Sequence, residues 1–576
     1  MKFYDRVNAS KPKNIEKMMA HIVGGGIAGM AAAAFLVTDG YMPPENITVY
    51  EQRKVVGGSM DGEGNAEKGY INRGERELEA YMECLWYLFG KVPSLRNPEK
   101  TVLDEVYHFN REEPIRSHGR LIHNCGEVVP DYHDRKMTNK DQEDWLKLLI
   151  TPEEELEDMR IDDWFKPSFF KSNEWRFFST MLSFKEHQSL IECKRYYSRF
   201  LHLGPRIDYL EGIIHTEYNE WDAMIKPLMV WLEEMGVNFR TDTEVTDVQL
   251  DENNNIVIAL ELDTEEVLEI SKDDLVFITN GSMTQNTTYG DKNTVAVMNT
   301  DTKNRGCFTL WEKLAKKDEK FGHPEKFICN PDVTSWISFF PTITDYPEFV
   351  EYIEDMTGDK AGTGGIVTIT DSNWLLSLIL HHKPFYPNQP DNVEVLWAYA
   401  LYGENEGNYI KKPMAECTGN EIMTELIYHL GLIDKKDEIL AHCTISTAMM
   451  PYIMSQFMPR TSTDRPHIIP EGCTNIAFIG QFVEIPGDVV FTVETSVRTA
   501  LQAVYGLLEL DKPVIEVYPT NLDLRYIIAA MEVYQDMDID HLAKGRNLLK
   551  LLSKKDDIIK LIKNIPDMPP AYTGKE

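Results

Sequence analysis

The sequence predicts an α/β fold whose parallel-sheet core is assembled from three separate stretches of the chain. Near the N-terminus, an apolar run at 21–23 leads into three glycines and an alanine-rich segment, which is typical of a strand, a turn and a helix. Residues 275–282 form a second apolar run that reaches a glycine, and residues 475–482 form a third. A helix-like segment at 491–500 follows the third run, so we expect these stretches to supply strands to one sheet.

The N-terminal glycines have the spacing of a dinucleotide-binding turn. Gly24 permits the tight turn, Gly26 lets the backbone approach a pyrophosphate, and Gly29 lets the helix pack closely on the strand. A second strand-like run at 47–50 leads to Glu51, about twenty residues past the last glycine, where the ribose of the nucleotide requires an acid. An ordinary glycine-rich turn is the alternative, and the ordered series of strand, glycines, helix, strand and acid disfavours it.

Two further features favour FAD over NAD as that dinucleotide. A glycine turn at 57–62 follows the second strand, and flavoproteins of the glutathione-reductase type place such a turn against the ribityl chain and pyrophosphate. Near the C-terminus, a strand that ends in glycine precedes a helix, whose positive N-terminus is expected to face the flavin. The sequence therefore predicts a glutathione-reductase-like, FAD-binding Rossmann core. Besides the first turn, the predicted cofactor contacts are Gly58, Ser59, Met60, Val245, Asn280, Gly281, Ser282, Gly480, Phe491 and Thr492.

Length and composition narrow the class of protein. The chain has 576 residues, of which 43% are hydrophobic, and this predicts several domains with large cores. Its formal net charge of -34 argues against nucleic acid as a partner, because phosphates require a basic surface. The 8 cysteines show neither a C-x-x-C pair nor zinc-like spacing, so we predict reduced thiols, no metal site and a cytoplasmic location.

A discontinuous arrangement of domains is expected, because the strands of the core lie far apart in the chain. The predicted boundaries are 1–135, 206–325 and 471–505 for three segments of the FAD-binding domain, 136–205 and 326–470 for inserted helical and mixed substrate domains, and 506–576 for a helical C-terminal tail. Within the second FAD-binding segment, residues 243–250 alternate as a strand does, and residues 251–255 resemble a hairpin turn.

Two regions each leave two interpretations open. Residues 140–235 are rich in aromatic side chains, which are more often ordinary core than a lipid-binding cavity. Between residues 544 and 563, basic side chains outnumber acidic ones and leucines and isoleucines recur at helical spacing. Such a helix is typical of peripheral attachment to the inner face of a membrane, and a helix docked on its own protein is the alternative.

At this point many strings of the sequence match one known family. The chain resembles the oleate hydratases, also called the myosin-cross-reactive-antigen family, from the N-terminal leader into the basic tail. The matching strings lie at 57–62, 73–78, 83–86, 195–196, 199–200, 226–228, 363–365, 370–374, 411–413, 416–419, 450–453 and 456–460. Such long, unusual strings in the same order are highly specific.

The resemblance implies a redox-neutral addition of water to a cis double bond of an unsaturated fatty acid, giving a hydroxy fatty acid. In this family FAD shapes and polarises the site, and its reduced form is the more active; a homodimer is also implied. The family's flavin loop falls on residues 73–78, which implies that Arg73 and Gly74 contact the cofactor and that Glu77 activates water. The residue that protonates the alkene falls on Tyr196. Because tyrosine ordinarily has a pKa of about 10, we expect help from a cation such as Arg195 or from the reduced flavin.

The chain departs from the family pattern in two places. The family loop has a second glycine where this chain has Glu75, and a second carboxylate there is expected to stiffen the loop and repel the flavin's anionic edge. In the segment 379–384, His382 and Lys383 replace a common Arg-Gln pair. We hypothesise that His381 and Lys383 help to hold the carboxylate of the fatty acid. The departures keep two alternatives open: a flavin-dependent lipid oxidoreductase, and a non-catalytic protein that binds FAD and membranes.

Overall fold

The computed structural model describes residues 7–490 and 492–533, and the side chains of residues 528 and 531–533 are not described. The strands of this part of the chain are β1 (Ala20–Val23), β2 (Ile47–Tyr50), β3 (Glu63–Asn65), β4 (Gly69–Ile71), β5 (Leu78–Glu79), β6 (Leu121–His123), β7 (Glu127–Val128), β8 (Ile213–Ile214), β9 (Asn238–Arg240), β10 (Val245–Leu250), β11 (Val257–Leu262), β12 (Val267–Glu269), β13 (Leu275–Thr279), β14 (Thr288–Asp291), β15 (Trp336–Thr344), β16 (Val367–Ile369), β17 (Leu376–Leu380), β18 (Val393–Ala400), β19 (Cys443–Met450) and β20 (Ile476–Ile479).

The α-helices of the same residues are α1 (Ile27–Thr38), α2 (Glu83–Phe89), α3 (Val102–Glu112), α4 (Asn139–Ile150), α5 (Ile161–Trp164), α6 (Asn173–Leu182), α7 (Leu190–Arg199), α8 (Lys226–Met235), α9 (Cys307–Ala315), α10 (Glu325–Ile328), α11 (Pro331–Thr334), α12 (Glu348–Thr357), α13 (Gly419–His429), α14 (Lys436–Ala441), α15 (Val493–Leu507) and α16 (Leu524–Val533). Among these residues, no helix is both long and apolar enough to cross a membrane.

A five-stranded parallel sheet forms the core that the three stretches predict. Its order is β20-β13-β1-β2-β9, so strands from both ends and the middle of the chain are neighbours. Helices α1, α8 and α15 cover one face, and the alanines of α1 are fully buried between the sheet and α15. The small antiparallel sheet β10-β11-β12 and α9 cover the other face, and β10 and β11 flank the hairpin turn predicted at 251–255. The predicted α/β fold is confirmed.

A second, eight-stranded sheet has the order β14-β19-β15-β18-β17-β16-β6-β7 and is antiparallel except at β16 and β6. Helices α12 and α13 pack on one face, and α4 to α7 pack on the other. Strands β6, β7 and β14 fall within segments predicted for the FAD-binding domain, yet they pair into this sheet. Strands β6 and β14 pair with β16 and β19, which lie more than 100 residues away, so no local pattern reveals this pairing; β7 joins the sheet through its neighbour β6. The exact domain boundaries stay a prediction.

The aromatic stretch forms a buried layer between α4 to α7 and this sheet. Phe165, Phe169, Trp175 and Phe184 are all buried in one hydrophobic cluster, while Phe178 in the same cluster also borders a cavity described below. Capping side chains define these helices: Thr138 caps α4 and Ser189 caps α7. These side chains therefore form ordinary core, and the role of the stretch in binding lipid stays a prediction.

The beginning of the predicted tail docks on the protein. Thr520 Oγ1 donates to the carbonyls of Ser198 and Arg199 at the end of α7, at 2.8 Å each. The basic segment 544–563 lies outside the described residues. Its predicted membrane contact stays a prediction, as does the homodimer.

Candidate active site

A cavity of about 360 Å³ opens at the carboxyl ends of β1, β2, β13 and β20. Ligands of open parallel sheets bind at this edge, because the strand-to-helix turns gather there. Most of the residues predicted to bind the dinucleotide line the cavity: Gly24, Gly26, Glu51, Gly58, Ser59, Arg73, Val245, Gly281, Ser282 and Gly480. We call it the cofactor cavity.

Backbone geometry explains the glycines of the first turn. Gly24 has a φ of 107°, a conformation that L side chains rarely adopt. A Cβ at Gly29 would lie 2.0 Å from the Gly24 carbonyl oxygen, so α1 can approach β1 only with glycine at that position. Gly26 is the N-cap of α1, and a Cβ built on it would have Gly58 Cα as its nearest neighbour, at 3.7 Å, so the space beside this backbone is open. The turn therefore presents open backbone and the positive end of α1 to a ligand.

Glu51 is buried and holds the glycine turn in place. Its Oε2 accepts a hydrogen bond from the Gly25 amide, and its Oε1 accepts one from the Arg53 amide, both at 2.9 Å. Burial raises the pKa of Glu51, and these two backbone hydrogen bonds oppose that shift. Each carboxylate oxygen keeps a second lone pair, so Glu51 can still accept hydrogen bonds from two ribose hydroxyls.

Arg73 is the buried cation of this cavity. Its Nε donates to Asp61 Oδ2 at 2.6 Å, and its Nη1 donates to the Thr284 carbonyl at 3.2 Å. A further hydrogen bond joins Nη2 to the Gly58 carbonyl. Arg73 thereby ties the flavin loop to the turn at 57–62. Open glycine backbone, a buried acceptor and a buried guanidinium together fit a dinucleotide.

Other predicted cofactor residues do not line this cavity. Met60 is buried in the core beside α1, and Asn280 Nδ2 donates to the Phe482 carbonyl at 2.8 Å. Both support the walls, and their cofactor contacts stay a prediction. Phe491 lies outside the described residues.

A second cavity, of about 100 Å³, lies between the eight-stranded sheet and helices α6 and α7. Glu77 and Tyr196 both line it, and Gly74 and Thr492 line its side next to the cofactor cavity. Its remaining wall is largely apolar and includes Phe178, Met181, Leu182, Phe200, Leu203, Ile207, Trp336, Ile366, Trp397 and Tyr399. We call it the apolar cavity. Since Arg73 borders one cavity and Gly74 the other, the flavin loop separates the two.

Glu77 differs electrostatically from an ordinary surface carboxylate. Its side chain makes no hydrogen bond or ion pair with the residues that the structure describes, so its oxygens are available to a ligand. Burial raises the pKa of Glu77 to about 7; the Arg120 guanidinium opposes the shift and the Glu75 carboxylate adds to it. A carboxylate with this pKa can accept a proton near neutral pH and release it again.

Tyr196 lies on α7 and is completely buried. Its ring contacts Phe184 and Phe457 edge-on, with centroids 5.1 and 5.6 Å away. The expected help from Arg195 is not evident, because the Arg195 guanidinium binds Glu153 at 2.7 Å and Glu484 at 2.6 Å. Successive helix residues point about 100° apart, which separates the two side chains.

Glu75, the first departure from the family pattern, contacts the residue that precedes the second departure, His381. His381 Nδ1 lies 2.7 Å from Glu75 Oε1, and the imidazole stacks on Phe385 with ring centroids 3.8 Å apart. Lys383 Nζ lies 2.5 Å from Glu394 Oε1 instead. Both residues predicted to hold the substrate carboxylate therefore contact a carboxylate of the chain, and that predicted role stays a prediction. Glu75 has no positive φ, so the loop accommodates it without glycine.

Two charged neighbours of Glu77 are absent from the sequence-based predictions. Arg120 is fully buried and donates to the carbonyl of Ile366 at 3.2 Å, while its Nη2 has no hydrogen-bond partner among the described residues. Glu220 accepts a hydrogen bond from the Arg76 amide at 2.5 Å, and burial raises its pKa. Neither stands in a recognisable motif, because each reaches the site from a segment more than 40 residues away.

Comparison with known proteins places the chain in one family. Residues 17–505 match the MCRA family. An oleate hydratase of Streptococcus pyogenes serotype M49 (strain NZ131) is 38% identical over 551 residues, which cover 92% of each chain. A linoleate hydratase of Lactiplantibacillus plantarum is 30% identical over 538 residues, covering 85% of this chain and 93% of its own.

Solved structures resemble the fold at much lower identity. A putrescine oxidase matches with a TM-score of 0.51 and 14% identity, covering 85% of this chain and 99% of that one. This likeness concerns the architecture of the core alone. From the family match over most of its length, the chain belongs to the MCRA family.

Proposed function

We propose that this protein is a fatty acid hydratase that adds water to a cis double bond of a free unsaturated fatty acid. The observation that carries the proposal is the meeting of Glu77 and Tyr196 on one apolar cavity, separated from the cofactor cavity by a single loop. The names of the two hydratase relatives support the reaction class.

The cofactor is proposed to be FAD. Its pyrophosphate would be held by the backbone amides of Gly24, Gly26 and Gly58. Its ribose would bind to Glu51, and the part of the molecule next to the isoalloxazine ring would contact Arg73 and Gly74. When bound, FAD supplies a flat polarisable ring that shapes the apolar cavity, and we propose that its reduced form is the more active.

The apolar cavity suits a hydrocarbon chain. Its aromatic and aliphatic wall removes methylene groups from water, which stabilises the bound chain by about 0.8 kcal/mol for each methylene. The carboxylates on this wall are Glu75, Glu77, Glu79 and Glu174. Among the described residues Glu77 has no ion-pair partner, whereas each of the other three faces a basic side chain. His381 and Lys383 remain the predicted partners of the substrate carboxylate.

Tyr196 and Glu77 each carry out one of the two proton transfers. Tyr196 gives its hydroxyl proton to one alkene carbon, and positive charge develops on the other. Glu77 stabilises that charge and takes a proton from water as the water oxygen bonds to the carbon. The alkene gains one hydrogen and one hydroxyl in total, and no electron is transferred.

Incubation of the purified protein with oleate, linoleate or palmitoleate, plus FAD and a reductant, tests the proposal. We expect mass spectrometry to show a gain of one water, with label from heavy-oxygen water in the product. A flavin-dependent oxidoreductase would instead change the product mass by hydrogens and consume reductant stoichiometrically. An absence of product from all three acids, with FAD bound, would contradict the proposed function.

A further inference from the structure

A third, small cavity of about 40 Å³ lies behind the flavin loop. Glu75, Arg76 and Glu77 line both this cavity and the apolar cavity, so the loop has a hydrophobic side and a polar side. The other polar side chains that line the small cavity are His215, Thr216, Glu220, His381 and His382. We call it the polar cavity. Its volume exceeds the roughly 10–15 Å³ that one water molecule requires.

The polar groups around this cavity are incompletely paired within the protein. Three buried atoms on its wall have no hydrogen-bond partner among the described residues: His381 Nε2, His382 Nδ1 and Glu220 Oε2. Buried polar groups are nearly always hydrogen-bonded, to water where the protein offers nothing. The polar cavity is therefore suited to water.

Glu75 and His381 have the geometry of a carboxylate–histidine pair. Nδ1 lies 2.7 Å from Glu75 Oε1, so the carboxylate faces this ring nitrogen, and Nε2 is the ring nitrogen without a partner among the described residues. Stacking on Phe385 fixes the plane of the ring. In such a pair, the carboxylate orients the imidazole and stabilises the imidazolium that forms when Nε2 takes a proton.

The proposed hydration leaves a proton on Glu77 in every turnover. That proton must leave before Glu77 can activate another water, and the apolar cavity offers no route while a hydrocarbon chain fills it, because that chain carries no proton. Building on the proposed function, we propose that Glu75 and His381 form a proton relay that discharges Glu77 through water in the polar cavity. Glu77 loses its proton to cavity water, His381 Nε2 accepts one, and His381 then releases it to solvent. Tyr196 regains a proton from water that enters the apolar cavity after the product has left, so protons balance over the cycle.

The charged groups that face this relay come from every element around it. Arg76 and Glu77 belong to the loop, Glu220 and His215 to the segment before α8, and His382 to the segment after β17. Arg120 interacts electrostatically with Glu77 from the start of β6. Burial lowers the pKa of His215, which disfavours the protonated form of this neighbour.

Steady-state kinetics of Glu75→Gln, His381→Ala and the double variant test the relay. We expect kcat to fall about tenfold in each single variant, at the low end of general acid–base effects, with KM for the fatty acid unchanged. The double variant should be no slower than either single variant, because both changes break one route. Imidazole in the buffer should restore kcat in His381→Ala.

Glu266→Gln is the matched control, since it removes a carboxylate that pairs with Arg240 at 2.9 Å on the surface of the small antiparallel sheet. It should leave kcat unchanged. Glu75→Gly, which restores the glycine of the family loop, serves as a second relay variant if Glu75→Gln fails to bind FAD. Wild-type kcat in all relay variants, or additive losses that imidazole does not restore, would overturn the relay. If the unaltered protein hydrates no fatty acid, the proposed function itself fails.

Discussion

The cofactor cavity and the apolar cavity adjoin each other, yet they are built from different materials. The cofactor cavity is formed by backbone at the ends of parallel strands, where glycines leave the amides uncovered. The apolar cavity is formed by large side chains from α6, α7 and the eight-stranded sheet. A backbone-lined site tolerates few changes of residue at its turns, whereas a side-chain-lined site can be reshaped residue by residue.

The loop at 73–78 lies between the cofactor cavity and the apolar cavity and contributes residues to both. Arg73 belongs to the cofactor cavity, and Glu77 belongs to the apolar cavity four residues later. If this division is correct, variants on the two sides should separate FAD binding from chemistry. The predictions below test that separation.

The largest effect is expected at the first glycine turn. In Gly29→Val the new Cβ would lie 2.0 Å from the Gly24 carbonyl oxygen, so β1 and α1 must move apart and the cofactor cavity is lost. We expect no retained FAD after gel filtration and a strongly lowered Tm. Gly403→Ala is the control, because its Cβ would have its nearest neighbour, Met414 Cβ, at 3.5 Å. Wild-type FAD binding by Gly29→Val would contradict the assigned turn.

The second-largest effect is expected on catalysis, with FAD binding unchanged. Glu77→Gln keeps the size of the side chain and removes the proton acceptor, so kcat should fall by about 10²- to 10⁴-fold. The Kd for FAD should stay within about twofold of wild type, since Glu77 does not line the cofactor cavity. Isothermal titration and product analysis measure the two quantities. A variant that hydrates oleate at the wild-type rate would exclude Glu77 as the base.

The pH dependence of kcat/KM should follow the ionisation of Glu77. A base acts in its ionised form, and burial raises the pKa of Glu77 to about 7. The rate should therefore rise with pH, level off above about pH 8, and lie about tenfold below the plateau at pH 6. Rates of residual turnover in Glu77→Gln should lack this rise. A profile of the unaltered protein that is flat between about pH 5.5 and about pH 8.5, roughly 1.5 pH units either side of the pKa of Glu77, would contradict the assignment.

The smallest effect is expected at Glu51. Glu51→Gln replaces a charged acceptor by a neutral amide, which costs about 1–2 kcal/mol, or roughly tenfold in the Kd for FAD. At saturating FAD, kcat should equal that of wild type, because the carboxylate contacts only the cofactor side. A fall in kcat that excess FAD does not reverse would show that the two cavities are not independent.

The sequence by itself determined those features of the protein that depend on neighbouring residues in the chain. Gly24, Gly26, Gly29 and Glu51 are recognisable because a dinucleotide turn requires particular backbone angles and spacings, and all of these are local. The strands at 47–50 and 245–250 and the helix after Gly480 are confirmed for the same reason. The family strings added the predicted roles of Glu77 and Tyr196, which no local rule assigns.

Only the tertiary structure decided which side chains surround those two residues. The direction of Arg195 away from the site, the contact of Glu75 with His381, and the approach of Arg120 to Glu77 depend on pairings between distant segments. The membership of β6 and β7 in the eight-stranded sheet depends on the same pairings. Such contacts arise when the chain buries its apolar surface as a whole, so the environment of a charge is a property of the packed molecule rather than of its neighbours in sequence.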